Sequence, residues 1–345
     1  MSRVAFAAPL PVAPRPQPDE RLSSWLGRLA RLYGMRIEAF LECCGLRRAV
    51  SDLEWRLWAG EGALLASRAG MTAEAVRALT FEEIAPHARL TVAARSRYAC
   101  ALCPTDVHRK AAALPWNFWC VEHGARFEPR AGRMLTSLLP GTQLAALDPA
   151  ARLGARRMAD WAQGADEPAP SVTDLLNFLT TRHRASSPPS LREQPVLSLE
   201  ARRANHDFLT RPIARQALLV IVPEYDRVAP VLAKALLPGI MALAEGSLLQ
   251  SYALAVGVGR LTADPVGCAA SALLASDQDG AERLRGVLRA WPPALRRRIA
   301  GRLAQLRDAQ RAASAAAAAA RTCRKRRQSH KFRFSQSHNP ARRVS

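Results

Sequence analysis

Apolar residues recur at helical spacing through most of this chain. In the first part, Leu22, Trp25, Leu26 and Leu29 follow an i, i+3, i+4, i+7 pattern, which predicts one buried face of a helix. Similar patterns continue to about residue 98 and resume after Pro140. Residues 281–311 have the pattern of two basic amphipathic helices that turn at Pro292 and Pro293. The pattern therefore predicts a mainly α protein.

An internal repeat with a spacing of 36 residues lies inside the first helical region. Each copy reads Ala-x-x-x-Gly-Met-x-x-Glu-Ala: Ala30, Gly34, Met35, Glu38 and Ala39 are matched by Ala66, Gly70, Met71, Glu74 and Ala75. The glycine is typical of the left-handed residue that ends a helix, and Thr72 is placed to cap the next one. We therefore expect two helix-turn-helix units.

The second helix of each unit offers few groups that read bases. Arg36 and Arg77 are the candidate DNA contacts, and they stand beside several glutamates. Recognition helices usually present Arg, Lys, Asn or Gln to the groove. Two interpretations remain open for these units: insertion into DNA, or a pair of packed hairpins that binds another protein.

The candidate metal ligands are Cys100, Cys103, Cys120 and His123. They form a Cys-x-x-Cys and a Cys-x-x-His pair with sixteen residues between them, a spacing typical of a zinc-closed ribbon. Four protein ligands leave no position for a catalytic water, so the sequence predicts one structural Zn2+. A redox role for the Cys-x-x-Cys pair is the alternative, and the second pair argues against it. His108 is a weaker candidate ligand.

The net charge of +21 is concentrated at the C-terminal end. Residues 283–345 hold 18 arginines and lysines and a single acid, Asp308, so this end accounts for +17. Such a distribution favours contact with a polyanion. The candidate DNA-binding residues here are Arg296, Arg297, Arg298, Arg302, Arg324, Lys325, Arg326 and Arg327. The acid-free end after the alanine run is predicted to be disordered.

These features divide the chain into five predicted regions. They are a Pro-rich leader (1–18), a helix-turn-helix-like repeat region (19–97), a zinc-binding module (98–135), a helical C-terminal domain (140–311) and an Ala-rich, basic, disordered tail (312–345). The seven cysteines show no disulfide framework, and no apolar run is long enough to span a membrane. We expect a cytoplasmic, nucleoid-associated protein.

Three of these features together resemble the TniQ family of DNA-transposition proteins. Residues 16–30, with Glu20-Arg21-Leu22-Ser23-Ser24-Trp25-Leu26, are similar to the leading signature of the family. The helical repeat follows, and then come Tyr98-Ala-Cys100-Ala-Leu-Cys103 and Trp119-Cys120-Val-Glu-His123-Gly124. The resemblance covers about residues 9–130.

The resemblance implies a non-enzymatic, DNA-binding adaptor that helps to select or license target DNA for transposition. Such a protein links the target to an AAA+ ATPase and a transposase. The resemblance also leaves room for a homodimer and for an RNA-guided targeting complex. Two other functions remain open from the sequence. A free-standing helix-turn-helix transcription regulator is the main alternative, and a zinc-containing nuclease is disfavoured because paired carboxylates and a His-Asn-His arrangement are lacking.

Overall fold

The structure is a computed structural model that describes residues 9–94, 96, 98–130, 141–165, 168–184, 215–226 and 236–336, with side chains to residue 317. It confirms a mainly α protein. The helices are α1 (Leu22–Leu32), α2 (Ile37–Cys43), α3 (Val50–Trp55), α4 (Ala59–Ala69), α5 (Ala73–Arg77), α6 (Gly141–Ala162), α7 (Val172–Thr180), α8 (Leu218–Ile221), α9 (Pro223–Asp226), α10 (Met241–Glu245), α11 (Leu248–Ala263), α12 (Pro265–Leu274), α13 (Gln278–Leu288) and α14 (Pro293–Gln336).

Both copies of the repeat form a helix, a tight turn and a second helix. Gly34 ends the turn after α1 with φ of 63°, and Gly70 does the same after α4 with φ of 61°. In each copy the next residue donates its backbone N–H to the alanine of the motif: Met35 to Ala30 at 2.8 Å, and Met71 to Ala66 at 2.9 Å. The left-handed glycine was therefore predicted for the right physical reason.

The repeat region has a hydrophobic core of its own. Trp25, Phe40 and Val76 are fully buried in it, together with the apolar faces of α1 and α4. The described part of the predicted leader packs on this core, because the Leu10 N–H donates to the carbonyl oxygen of Arg68 at 2.8 Å. The indole N–H of Trp25 donates to the carbonyl oxygen of Pro14 at 2.9 Å.

A second hydrophobic core joins the predicted zinc module to the C-terminal helices. The module contains a two-stranded antiparallel sheet, in which β1 (Tyr98–Ala99) pairs with β2 (Glu128–Pro129), and a 3-10 helix over Ala111–Ala113. Trp116 and Phe118 are buried in the same cluster as α6, α7 and α11. The module is thus fixed to the C-terminal helices by apolar contacts.

Helices α6 and α11 make the closest helix crossing in this core. A Cβ atom added at Gly154 of α6 would lie 1.9 Å from the carbonyl oxygen of Ala255, and one at Gly259 of α11 would lie 1.9 Å from that of Ala150. Only glycine fits where two backbones approach this closely. The crossing also sets the position of Tyr252, which contacts the zinc module.

The last helix differs from its sequence-based description. The predicted break between two basic helices at Pro292 and Pro293 is present, since α13 ends at Leu288 and α14 begins at Pro293. However, α14 continues through residue 312, where the sequence analysis placed the start of a disordered tail, and ends only at Gln336. Alanine, arginine, lysine and glutamine are strong helix formers, and this local preference outweighs the lack of a buried face. Residues 337–345 of the predicted tail lie outside the described residues.

Hydropathy along the described helices gives no candidate membrane span, because none of them combines the necessary length with sufficient apolar character.

Candidate metal centre and nucleic-acid contacts

Two tight turns bring the four candidate ligands to one point. Cys100 directly follows β1, and the N–H of Cys103 donates to its carbonyl oxygen at 3.3 Å. In the second turn the N–H of Gly124 donates to the carbonyl oxygen of Cys120 at 2.8 Å, and Gly124 has φ of 61°. Each turn therefore directs two side chains to the same side, as the spacing in the sequence predicted.

The donor atoms form a closed group. The Nδ1 atom of His123 lies 3.7 Å from the Sγ atom of Cys100, 3.4 Å from that of Cys103 and 3.5 Å from that of Cys120. The Sγ atoms of Cys103 and Cys120 are 3.7 Å apart, and all four donors lie within 4.8 Å of one another.

These separations fit a tetrahedral ion. Zn–S bonds of about 2.3 Å and Zn–N bonds of about 2.0 Å place neighbouring ligand atoms roughly 3.5–3.8 Å apart. Three thiolates and one imidazole are also the ligand types that zinc prefers over harder cations. The group Cys100, Cys103, Cys120 and His123 could therefore hold a metal ion, with His123 binding through Nδ1.

The pKa values of two of these thiols shift in opposite directions. Burial raises the pKa of the Cys103 thiol to about 12, and hydrogen bonds to Cys120 and Cys100 act in the same direction. Burial also acts to raise the pKa of Cys120, but hydrogen bonds from His123 and the backbone of Glu122 outweigh it and lower that pKa to about 7. Metal binding displaces the proton of each thiol ligand, so the affinity for a metal should rise with pH.

Arg109 is a further candidate for the metal centre, and the sequence contains no signal for it. Its guanidinium is 5% exposed, hydrogen-bonds to the Cys103 sulfur, and forms an ion pair with Glu122. It also donates to the carbonyl oxygen of Pro18. A Zn2+ ion with three thiolates and a neutral imidazole carries one net negative charge, and Arg109 is placed to balance it. Nothing in the spacing of the ligands points to this residue.

His108, the weaker candidate ligand, is not part of the donor group. Its backbone N–H donates to Ser24 Oγ at 3.0 Å, and its ring lies 3.5 Å from Arg130. The Cys-x-x-Cys pair and the Cys-x-x-His pair converge, so that Cys103 faces both Cys120 and His123. This arrangement argues against a redox role for the Cys-x-x-Cys pair.

The aromatic residues between the two turns hold the centre on the C-terminal helices. The Phe118 ring packs edge-on against Tyr252 with centroids 5.3 Å apart, and Trp116 packs edge-on against Trp161 at 6.3 Å. The Tyr252 hydroxyl donates to Asp148 at 2.7 Å, and Asp148 also pairs with Arg126 of the module. The aromatic segment therefore docks the ribbon on the C-terminal helices.

The N-terminal region and the zinc module together match a known family. The family model TniQ matches residues 11–127. This segment belongs to the TniQ family. No curated protein and no solved structure matched the chain. TniQ is a transposition-associated family, and the match covers about a third of the chain.

The leading signature of the TniQ segment acts as a joint between the repeat and the zinc module. Glu20 is fully buried and accepts hydrogen bonds from Arg28 at 2.8 Å and from the Ser24 hydroxyl at 2.8 Å. Arg21 makes a two-pronged ion pair with Glu54 of α3, at 2.9 and 2.6 Å.

Backbone contacts complete this joint. The N–H of Arg21 donates to the carbonyl oxygen of His108 at 3.0 Å, and the N–H of Lys110 donates to that of Asp19 at 2.8 Å. The Asp19 carboxylate accepts from the N–H of Ala111 at 3.0 Å. The signature residues are therefore structural, since they fix one part of the TniQ segment to the other.

Both candidate DNA contacts of the repeat are exposed, but each forms an ion pair with a glutamate. Arg36 is highly exposed at the start of α2 and pairs with Glu38 at 3.6 Å. Arg77 ends α5 and pairs with Glu82 at 3.4 Å. Helix α5 has only five residues, Ala73–Arg77, which is short for a helix that enters a groove. The geometry of the repeat is confirmed, and DNA reading by it stays a prediction.

The candidate DNA contacts of the C-terminal end lie on α14. Arg296, Arg297, Arg298 and Arg302 are exposed. Within the described side chains none of these four is paired with a carboxylate, and Arg302 donates to Gln305 at 3.2 Å. Arg324, Lys325, Arg326 and Arg327 lie on the same helix, beyond the described side chains. The apolar side of α14, including Ile299 and Leu303, is buried in the second core, so the exposed arginines face solvent.

Proposed function

We propose that this chain is a non-enzymatic, zinc-containing adaptor that binds DNA and links a target site to an AAA+ ATPase and a transposase. In this role it selects or licenses target DNA for transposition. The observation that carries the proposal is the complete Cys3His donor group inside a TniQ segment. Four protein donors leave the metal no open position for substrate, so the ion would have a structural role.

The charge of α14 supports the DNA contact. The exposed arginines of its first part and the basic residues 321–333 of its last part lie on one continuous helix. Because each neutralised phosphate releases counterions, binding through this helix should depend strongly on salt concentration.

The metal is tested by replacement of one ligand. Cys103→Ser should abolish stoichiometric zinc in purified protein and unfold the ribbon, since structural zinc contributes on the order of 10 kcal/mol to such folds. Zinc content is measured by atomic absorption, with Cys268→Ser as the control outside the centre. Unchanged zinc in the Cys103 variant would contradict the assignment.

The adaptor role is tested with zinc-loaded protein. We expect it to retain the AAA+ ATPase in a pull-down and to retard candidate target DNA in a mobility-shift assay. Failure of both would refute the proposal. DNA binding without any ATPase contact would instead favour the free-standing transcription regulator, and metal-dependent nicking of DNA would favour the nuclease.

The contribution of α14 to DNA binding is tested by charge removal. Deletion of residues 321–345 removes nine basic residues, and it should flatten the dependence of log K on log salt by about 0.9 per lost phosphate contact. Replacing Arg324, Lys325, Arg326 and Arg327 by Gln keeps helix formers in place and should have a smaller effect in the same direction. Arg156→Gln, which removes one exposed charge from α6 away from the candidate contacts, serves as a single-charge control. An unchanged slope in both variants would show that this end does not contact DNA.

A further inference from the structure

An open cleft lies beside the second helix-turn-helix unit, and of its lining residues only Arg77 is among the candidate DNA contacts described above. We call it the Trp58 cleft; it has a volume of about 560 Å3 and is lined by Trp55, Arg56, Trp58, Arg77, Glu82 and Arg89. A second depression of about 530 Å3 shares Trp55, Arg56 and Arg89 and extends the cleft to Arg48 and Leu90. The cleft is formed by the link between α3 and α4 and by the chain that follows α5.

Trp58 is an exposed aromatic side chain in a fixed position. It is 56% exposed, and the guanidinium of Arg48 stacks 4.5 Å from its ring centroid. Arg48 is itself held by Glu61 at 2.9 Å and by the carbonyl oxygens of Asp52 and Arg56 at 3.0 and 2.9 Å. Because these contacts already order the ring, a flat ligand could stack on Trp58 at little further cost in conformational entropy.

The cleft also carries excess positive charge. Arg77 is paired with Glu82, whose other oxygen accepts from the N–H of Leu57 at 2.5 Å. Arg56 is exposed and Arg89 stacks 5.5 Å from the Trp55 centroid, and neither is paired with a carboxylate among the described residues.

The charges at the cleft give a small positive balance. The two depressions and the partner of Arg48 bring together four arginines, Arg48, Arg56, Arg77 and Arg89, against three carboxylates, Asp52, Glu61 and Glu82. The excess is one positive charge, and Arg56 and Arg89 are the groups that favour an anionic ligand.

We propose that the Trp58 cleft binds unpaired nucleotides of a nucleic-acid strand, with a base stacked on Trp58 and phosphates at Arg56 and Arg89. Sites for single strands combine a basic groove with aromatic rings on which bases stack. Duplex bases have their faces covered, so the ring selects an unpaired base. This inference rests on the proposed DNA-binding function and assigns to it a second contact, separate from α14.

The first test is a photocrosslink. An oligothymidylate of about 12 nucleotides that contains one 5-iododeoxyuridine is irradiated with the zinc-loaded full chain, and tryptic peptides are sequenced. We expect the crosslink on the peptide that runs from Leu57 to Arg68. A crosslink confined to other peptides would overturn the proposal.

The second test compares affinities by fluorescence anisotropy. Trp58→Ala and Arg56→Gln should each weaken binding of the single strand, at least about fivefold for the loss of the stacked base. Binding of a duplex of the same length should stay the same, because it depends on α14. The matched controls are Leu32→Ala, which removes a side chain that is 51% exposed on α1, and Arg156→Gln, which removes one exposed charge from α6. A parallel series with oligouridylate shows whether the strand is DNA or RNA.

The outcomes separate this inference from the proposed function. One outcome is that the wild-type chain binds the duplex while the Trp58 and Arg56 variants bind the single strand as tightly as the wild type does. In that case only the nucleotide site in the Trp58 cleft is refuted. The inference also fails if the wild-type chain does not bind the single strand. If the two variants lose the ATPase and keep the single strand, the cleft is a protein interface. Loss of every nucleic-acid contact in the wild type would contradict the proposed function itself.

Discussion

The crossing of α6 and α11 predicts a large effect for the smallest side-chain change. At Gly154 the added Cβ of alanine would lie 1.9 Å from the Ala255 carbonyl oxygen and 2.8 Å from the Gly259 nitrogen. Ordinary van der Waals contact begins near 3.4 Å, and both neighbouring atoms belong to backbone. Gly154→Ala therefore cannot be accommodated by a rotamer change, and the two helices must move apart by more than one ångström.

The expected change in the free energy of unfolding is the difference between the cost of overpacking and the gain in helix propensity. Overpacking of a tight core costs about 1–3 kcal/mol, and separation of α6 from α11 also weakens the contacts of their flanking side chains. Alanine in place of glycine in a helix returns about 1 kcal/mol of propensity. We expect a net loss of roughly 1–2 kcal/mol in the free energy of unfolding, with Gly259→Ala giving a similar loss because its Cβ would lie 1.9 Å from the Ala150 carbonyl oxygen.

Denaturant unfolding followed by circular dichroism measures this loss. The matched control is Gly286→Ala on α13, where an added Cβ meets nothing within 4 Å. This control should stabilise the protein by up to about 1 kcal/mol through helix propensity and the lower entropy of the unfolded chain. If Gly154→Ala and Gly286→Ala both stabilise, the close crossing of α6 and α11 is refuted.

Three further predictions concern single side chains. Arg109→Ala should weaken zinc affinity about 10- to 100-fold in chelator competition, since it removes the positive charge beside the thiolates. Arg130→Ala in the same module should leave the affinity unchanged. Equal losses in the two variants would contradict the role of Arg109 at the metal centre. Burial lowers the pKa of His183 to about 4 from a usual 6.5, so the unfolded chain binds a proton first. The free energy of unfolding should therefore fall as pH drops from 6.5 towards 4. Thermal melts at each pH compare the wild type with His183→Asn. The difference in stability between them should change over that interval and nowhere else. Thr72→Ala should cost about 1 kcal/mol by removing the cap of α5, whereas Arg36→Ala at the equivalent position of the first copy, which has no side-chain cap, should be neutral in the same denaturation assay.

The features that sequence predicted well are governed by short segments of chain. The turn at Gly34 and its copy at Gly70 depend on one residue that tolerates positive φ, and the convergence of the four candidate metal donors depends on a spacing of three residues within each turn. The prediction for residues 312–336 failed for a related reason. The lack of acids and of an apolar face predicts disorder, but the helix preference of the alanine run is also local, and the structure is helical to Gln336.

The features that sequence missed depend on contacts between distant residues. The ion pair between Arg21 and Glu54 joins positions 33 residues apart, and Phe118 contacts Tyr252, which lies 134 positions further along the chain. Arg109 lies beside the metal ligands only because the turn that carries it pairs with the signature segment through Glu20. No periodicity or spacing encodes such a contact, since it arises from how separate elements pack.

The joint in the TniQ segment has a consequence for an adaptor. Apolar helix faces can slide or repack, whereas hydrogen bonds to buried charged groups fix one geometry, because a shift would leave Glu20 or Arg21 unpaired at a high cost in free energy. The joint is continuous with the metal centre through Arg109, and the centre is fixed to the C-terminal helices through Phe118 and Tyr252. The repeat, the zinc centre and the base of α14 are thus linked by contacts that do not depend on a flexible linker. The proposed adaptor would need such a link to hold DNA and an ATPase at a defined separation, and a metal ion bound by the four donors would stiffen it where the second core meets the joint.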